Sequence, residues 1–128
     1  MHENLKVLHA FLDAIIPGDA DTAIQYVDEN VVIHVGGRNS LAADYVGFDG
    51  FYKLAHDQAA LTDFTLKKQP IDVLGGDTHC VVLVDFTASR NGVEYQWRVV
   101  TVYRMESQKI AEIFIYDTDQ YVADIVYA

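Results

Sequence analysis

The stretch VEYQWRVVTVYRM, residues 93–105, alternates two kinds of side chain and therefore predicts a long β-strand. One parity consists of Tyr95, Trp97, Val99, Thr101 and Tyr103. Because successive side chains of a strand point to opposite faces, we expect this aromatic parity to face the interior. The other parity is largely polar but includes Val100 and Val102, and an apolar patch on an exposed sheet face commonly marks a subunit contact. The sequence therefore predicts a homodimer formed through the convex face of the sheet.

Strand-like segments also lie on both sides of this stretch. They cover residues 64–74, 79–89 and 109–117, with turn residues at 75–77, 91–92 and 106–108. Asn91-Gly92 is the strongest hairpin signal among these turns, so the four segments predict an antiparallel meander. A fifth strand is predicted at 31–35, where His34 interrupts a β-branched apolar run that ends at Gly36-Gly37.

The predicted helices lie mostly before the meander. Residues 4–16 have apolar side chains at three- and four-residue steps, and Pro17-Gly18 ends that pattern. Asp19 or Asp21 can cap a second, short helix that extends to about Tyr26, and a third helix is expected from Asp49 to about residue 61. Residues 119–128 fit either a short helix or a strand. Helices followed by antiparallel strands predict an α+β domain that spans residues 1–128.

The segment 36–50 contains glycines and polar residues but also Leu41, Tyr45 and Phe48. A connection with so many apolar side chains is expected to be ordered and to lie over an apolar surface. We therefore predict that this segment resembles a lid and that Tyr45 contacts a bound molecule.

Composition excludes several classes of function. The formal charge is −10, which repels nucleic acid, and Cys80 is the only cysteine, so no internal disulfide can form. No apolar run is long enough for a membrane helix and no signal peptide is evident, so a cytoplasmic protein without membrane contact is expected. The histidines lack the spacing of a zinc motif, and no metal or other cofactor is predicted.

Several strings resemble the SnoaL-like and ketosteroid-isomerase-like branch of the nuclear transport factor 2 superfamily, in the same order along nearly the whole chain. They are Pro17-Gly18-Asp19, residues 29–37, residues 46–50, Val102-Tyr103-Arg104, residues 109–112 and residues 119–124. The resemblance implies a cone-shaped barrel in which three N-terminal helices pack on a strongly curved, mainly antiparallel sheet that encloses one pocket. Because this scaffold hosts unrelated chemistries, it predicts the fold more firmly than the function.

The resemblance also suggests roles for individual residues. His34 matches the position of the catalytic carboxylate of ketosteroid isomerases, and an imidazole can transfer protons near neutral pH. Phe11 and Thr101 match the two oxyanion donors of those enzymes, so both donors are lost and steroid isomerisation is not expected. Alternatively, His34 is bound to a backbone carbonyl or a tyrosine and only closes the pocket.

Glu112, Phe114 and Tyr116 lie on one face of the predicted last strand. The resemblance implies that this face is turned towards the pocket. Glu112 could then face His34 as an acid/base or orienting partner, but a solvated strand glutamate is the favoured alternative, because glutamate is almost never fully buried without a partner. Asp117 is a second candidate, or instead a cap for the following turn. Together with Trp97 and Tyr103, Tyr116 would form broad walls suited to a planar ligand, although such residues also form ordinary cores.

These observations lead to one main hypothesis of function. The chain is expected to be an enzyme of SnoaL-like type, an isomerase, cyclase, dehydratase or hydrolase, that moves a proton on a small apolar substrate with His34 as base or acid. Alternatively it is a non-catalytic carrier or sensor of a hydrophobic ligand. A third possibility is an assembly module whose pocket is filled by Phe11, Trp97 and Tyr103.

Overall fold

A computed structural model describes residues 2–128 of the chain, which contain four α-helices and six β-strands. The helices are α1 (Glu3–Ile15), α2 (Ala20–Ala23), α3 (Gly47–Leu61) and α4 (Gln120–Val126), and a 3-10 turn, Ile24–Tyr26, follows α2. The strands are β1 (Val27–Val35), β2 (Ala43–Val46), β3 (Lys67–Gly75), β4 (His79–Arg90), β5 (Val93–Glu106) and β6 (Lys109–Asp117). The predicted α+β class is therefore confirmed.

The six strands form one sheet in the order β2-β1-β6-β5-β4-β3. The predicted meander from β3 to β6 is confirmed, since each of these neighbours pairs antiparallel. The pairing of β1 with β6 is parallel, and it joins the N-terminal strand to the middle of the sheet. Because β2 and β3 are both edge strands, the sheet is open and does not close into a barrel.

Local sequence explains where the elements begin and turn. The side chain of Asp19 accepts a hydrogen bond from the backbone N–H of Thr22, which identifies Asp19 as the cap of α2. Asp119 caps α4 in the same way through Val122, so the C-terminal segment is a helix. Asn91 and Gly92 have positive φ angles of 52° and 80°, as a type I′ hairpin turn requires.

Three of the predicted boundaries were wrong. Helix α3 begins at Gly47 rather than at Asp49, which lies in its first turn without capping it. Strand β1 begins at Val27, four residues before the predicted start. Strand β3 begins at Lys67, because Asp63 and Phe64 have positive φ angles of 51° and 59° and form a turn.

The sheet has a buried inner face and a partly exposed outer face. Register shifts occur in β1, in β3 beside Pro70 and in β5 beside Arg104, and such irregularities bend strands. The inner face of β5 carries Trp97, Val99, Thr101 and Tyr103, all of which are buried, as predicted. Helices α1 and α3 pack on this face with Leu8, Phe11, Phe51 and Leu54.

Candidate functional site

A cavity of about 390 Å³ lies between the inner face of the sheet and the helices. Its walls are mainly apolar and include Phe11, Leu12, Ile33, Phe51, Leu54, Val82, Val84, Phe86, Ile113 and Ile115. Pro17, Gly18 and Phe64 are the exposed members of the lining, and Phe64 has 77% of its surface exposed. These three residues therefore form the rim. Because the cavity is open, Phe11, Trp97 and Tyr103 do not fill it.

Lys68 provides the one charged side chain that lines this cavity among residues 2–128. Its backbone pairs with that of Phe86, and its Nζ lies 5.5 Å from the centre of the Phe86 ring. Lys68 takes part in none of the ion pairs found among the described residues. Burial of the amine lowers the pKa of Lys68 from 10.5 to about 8. The cavity therefore contains a cation with a reduced proton affinity and without a counter-ion from the protein.

The other polar groups of the lining are the side chains of Gln58, Thr101 and Tyr103. Gln58 donates a hydrogen bond of 3.1 Å to the Tyr127 hydroxyl, so its amide is partly engaged. Burial raises the pKa of the Tyr103 phenol well above its ordinary value, and the neighbouring Thr101 hydroxyl offsets part of that rise. The phenol therefore stays protonated and can act as a hydrogen-bond donor.

The strand register separates these polar groups into two ends. Lys68 lies beside Phe86 on β4, whereas Tyr103 lies beside Cys80 at the other end of that strand. A strand rises about 3.3 Å per residue, which puts roughly 20 Å between the two backbone positions. Lys68 and Tyr103 therefore define opposite ends of the lining.

His34 does not line this cavity, so it is not the polar end of the apolar pocket as predicted. It lines a second, smaller concavity of about 270 Å³ together with Asp44, Phe114, Tyr116 and Asp117. Val31, Ile33 and Val35 of β1 are buried on the inner face, and the alternation of the strand turns His34 to the outer face. Its Nδ1 is 2.9 Å from Asp44 Oδ1, and its Nε2 is 2.6 Å from Glu112 Oε2. The predicted proximity of His34 and Glu112 is therefore real, but the pair lies on the opposite side of the sheet.

The two carboxylates determine the protonation of the His34 ring. The hydrogen bond to Glu112, followed by that to Asp44, raises the pKa of His34 above 6.5 despite partial burial. In turn His34, followed by Arg104 at 3.1 Å, lowers the pKa of Glu112. The raised pKa favours the protonated form of His34, and the cluster is a hydrogen-bonded network that joins β1, β2 and β6 on the outer face of the sheet.

The inward placement of Glu112, Phe114 and Tyr116 was also wrong. In the parallel pairing, Ile33 lies beside Ile113 and His34 lies beside Phe114, so the even-numbered residues of β6 share the outer face with His34. The Phe114 ring stacks on His34 at 4.8 Å, and 56% of the Tyr116 surface is exposed. The core instead takes Ile113 and Ile115, because these branched side chains fill the space beside Ile33.

Asp117 shares the strand alternation of Ile113 and Ile115 in β6. It does not line the main cavity, but it lines the second concavity beside His34. Its Oδ1 accepts a hydrogen bond of 2.8 Å from Nε1 of Trp97, so it is not the cap of the following helix. Burial raises the pKa of Asp117, and the Trp97 hydrogen bond opposes that rise. The Trp97 ring contacts Phe86 and Tyr127 edge-on at 5.6 Å and 6.0 Å and is part of the core.

Tyr45 is buried and does not line the cavity. Its hydroxyl donates a hydrogen bond of 2.6 Å to the carbonyl of Leu41. The predicted lid segment is instead an edge of the sheet, since Ala43–Val46 forms β2 and pairs with β1. Of the predicted ligand-contacting residues, Phe11, Thr101 and Tyr103 line the cavity, and Phe114 and Tyr116 line the second concavity beside His34. Trp97 and Tyr45 line neither.

Lys68 was missed at the sequence level, although a signal for it exists. It follows Lys67 directly, and two consecutive lysines usually indicate a solvated segment. Leu66 and Pro70 share the parity of Lys68, and all three line the cavity. Alternation with Leu66 could therefore have assigned Lys68 to the inner face and Lys67 to solvent.

Helices packed on the concave face of an open, mostly antiparallel sheet define the class of nuclear transport factor 2-like folds. A protein of this class from Burkholderia xenovorans LB400 has a TM-score of 0.81 to this chain at 17% identity, with coverage of 98% and 96% of the two chains. The chain belongs to the SnoaL-like domain family, whose model matches residues 8–113.

Other solved structures share the fold at low sequence identity. Bal32a, from a soil-derived mobile gene cassette, is 22% identical with a TM-score of 0.92, and the match covers 98% of this chain and 97% of Bal32a. TerC, co-crystallised with polyporic acid, is 11% identical with a TM-score of 0.86 and coverage of 99% and 100%. None of the curated proteins compared with this chain matches it.

Two further features concern metals and membranes. Within residues 2–128, no group of three or more His, Cys, Asp or Glu side chains is arranged to hold a metal ion. No helix in that part of the chain has the length and apolarity needed to cross a membrane.

Proposed function

We propose that this protein is a small-molecule enzyme that transfers a proton on a mostly apolar carbonyl compound held in the cavity. The observation that carries this proposal is the Lys68 amine, which lies in an apolar cavity without a carboxylate partner. With a pKa of about 8, roughly one-tenth of the amines are neutral at about pH 7. A neutral amine of this kind can accept a proton from carbon.

The steps follow from the positions of the groups. The amine takes a proton from the carbon next to a substrate carbonyl, the electron pair of that C–H bond forms a carbon–carbon double bond, and the π electrons of the carbonyl move to its oxygen. The Lys68 ammonium then lies next to the enolate oxygen and stabilises its charge among mainly apolar walls. Return of the proton to another carbon completes an isomerisation, and loss of a neighbouring hydroxide as water completes a dehydration. Thr101 and Tyr103 can hold a second oxygen of the substrate at the far end.

The alternative is a carrier or sensor that binds an apolar ligand without changing it. The absence of an acidic side chain from the lining among residues 2–128 favours this alternative, because Lys68 has no second titrating group close by to return the proton. Both functions use the same cavity, so binding alone does not separate them.

Exchange of carbon-bound hydrogen for deuterium tests the enzymatic proposal without knowledge of the natural substrate. The protein is incubated in D₂O with enolisable ketones such as 2-tetralone and 1-indanone, and deuterium next to the carbonyl is followed by NMR. We expect faster exchange with the protein than with buffer, and an about 100-fold loss in Lys68→Met. Lys67→Met is the matched control, because Lys67 is the exposed neighbour of Lys68.

Two outcomes contradict this assignment. Exchange that survives in Lys68→Met but is lost in His34→Gln would show that His34 is the base. Binding of the ketones without accelerated exchange would support the carrier function instead.

A further inference from the structure

The Lys68 end of the cavity lacks a negative charge, although the chain as a whole has a formal charge of −10. Asp and Glu are abundant on the surface, yet none lines the cavity among residues 2–128. The other half-buried cations have hydrogen-bond partners: Arg90 donates to the carbonyls of Leu61 and Val126 at 3.0 Å, and Arg104 pairs with Glu112 at 3.1 Å. Lys68 has no such partner among residues 2–128 and differs from them in this respect.

An uncompensated cation among apolar walls is costly, because burial removes water without supplying another partner. The Phe86 ring provides only a cation–π contact at 5.5 Å, which does not neutralise the charge. Replacing Lys68 by an apolar residue would remove this cost. Its presence in the lining thus points to a partner that enters the cavity with the bound molecule.

We propose that the cavity selects molecules that combine an apolar body with one acidic oxygen group, bound as the anion against Lys68. The class includes carboxylic acids, enols and phenols of a size that fits about 390 Å³. The proposal deepens the proposed function and rests on it, because an enolate paired with the Lys68 ammonium is the intermediate of the proposed proton transfer.

The apolar lining provides the second part of this selectivity. Leu12, Leu54 and Val84 line the cavity, and burial of the apolar body of a ligand against them would favour binding. A short anion such as acetate offers little apolar surface, so it should bind weakly. A neutral molecule of the same shape gains from the walls but leaves Lys68 without a partner.

Isosteric pairs of carboxylate and carboxamide separate these contributions. Binding of octanoate, octanamide, 2-naphthoate and 2-naphthamide is measured by isothermal titration calorimetry on the full chain at about pH 7. We expect each carboxylate to bind at least about tenfold more tightly than its amide, as one charge-assisted hydrogen bond implies. Lys68→Met should abolish this preference while leaving amide binding unchanged, and Lys67→Met should preserve it.

The pH dependence of carboxylate binding supplies a second test of the proposed selectivity. The carboxylates are ionised throughout the range, and burial keeps Tyr103 protonated, so Lys68 is the group of the cavity lining that changes its charge near about pH 8. We expect carboxylate affinity to fall about tenfold between about pH 7 and about pH 9, and amide affinity to remain constant.

Equal binding of acid and amide would overturn the proposal, as would a preference that survives in Lys68→Met. Failure of both carboxylates to bind at millimolar concentration would overturn it as well. The proposed enzymatic function is tested separately, by deuterium exchange, so either proposal can fail without the other. A preference for carboxylates without deuterium exchange would indicate a carrier of acidic ligands. Deuterium exchange without a preference for carboxylates would indicate an enzyme that acts on neutral substrates.

Discussion

Nε2 of His34 and Oε2 of Glu112 lie 2.6 Å apart on the outer face of the sheet, and this pair joins β1 to β6. Asp44 of the edge strand β2 contacts the other ring nitrogen of His34 at 2.9 Å. One imidazole therefore links three adjacent strands. The cluster is separated from the cavity by the thickness of the sheet, so we expect it to affect stability.

Replacement of His34 by Gln should make stability less dependent on pH. The folded-state pKa of His34 is raised above 6.5, so its contribution is complete below about pH 6.5 and is lost as the pH rises through the folded-state value. We expect His34→Gln to lower the melting temperature by roughly 1–4 °C at about pH 6 and by less at about pH 9. Thermal unfolding followed by circular dichroism measures both values.

His9→Gln is the control for this measurement, because His9 is exposed on α1. A decrease of the same size at both pH values in His34→Gln would show that the ion pairs of His34 do not stabilise the fold.

Much of the fold was predictable because its signals are local. Asn91-Gly92 specifies a hairpin turn, and the alternation in residues 93–105 specifies which face of β5 is buried. The parallel pairing of β1 with β6 was not predicted, since no local pattern encodes contact between strands that are distant in the chain. The same pairing fixes the face on which Glu112 lies.

The site was less predictable than the fold for a related reason. In β6 both parities contain large apolar residues, so alternation alone does not decide which one is buried. The resemblance favoured the parity of Glu112, whereas the ordinary rule that polar residues face water would have placed Glu112 and His34 outside. Here the physical rule gives the correct face for Glu112 and His34, but it fails for Lys68, which lines the cavity on the same side of the strand as Leu66.

Replacement of Lys68 by Met should stabilise the protein. The folded-state pKa of Lys68 is about 8 and its ordinary value is 10.5, so the folded protein bears the full cost of the buried charge below about pH 8. We expect Lys68→Met to raise the free energy of unfolding by roughly 1–3 kcal/mol at about pH 7, with a smaller gain as the pH approaches about 10.5. Urea denaturation at several pH values measures this gain.

Lys67→Met provides the comparison for an exposed lysine and should change stability little. A Lys68→Met variant that is less stable than the native protein at about pH 7 would contradict the idea that the cavity holds an uncompensated cation. That result would also weaken the proposed selectivity for anions.

Fluorescence of Trp97, the single tryptophan of the chain, should report the ionisation of Asp117. The indole N–H donates to the Asp117 carboxylate at 2.8 Å, and burial raises the pKa of that carboxyl above 3.8. Protonation weakens this charge-assisted hydrogen bond, so we expect the emission to change with a midpoint above about pH 4. The change should be absent in Asp117→Asn and retained in Asp72→Asn, an exposed control. An unaltered titration in Asp117→Asn would assign the signal to another group.

The outer face of the sheet carries an apolar stripe across three strands. The register places Val102 beside Val81 and Phe114, and it places Val100 beside Leu83 and Tyr116. The ion pairs Arg98–Asp85 and Arg104–Glu112 flank this stripe, so each end presents both signs of charge. A surface of this kind can pair with a second copy of itself about a twofold axis.

We predict a homodimer through this stripe, with twice the chain mass of 14.4 kDa in multi-angle light scattering at micromolar concentration. Val102→Glu places a carboxylate in the centre of the contact and should yield a monomer, because an unpaired charge would be buried there. Val93→Glu is the matched control, since Val93 is 51% exposed and lies at the hairpin end of β5. A native protein that is monomeric, or a Val102→Glu variant that remains dimeric, would show that copies do not associate through this face.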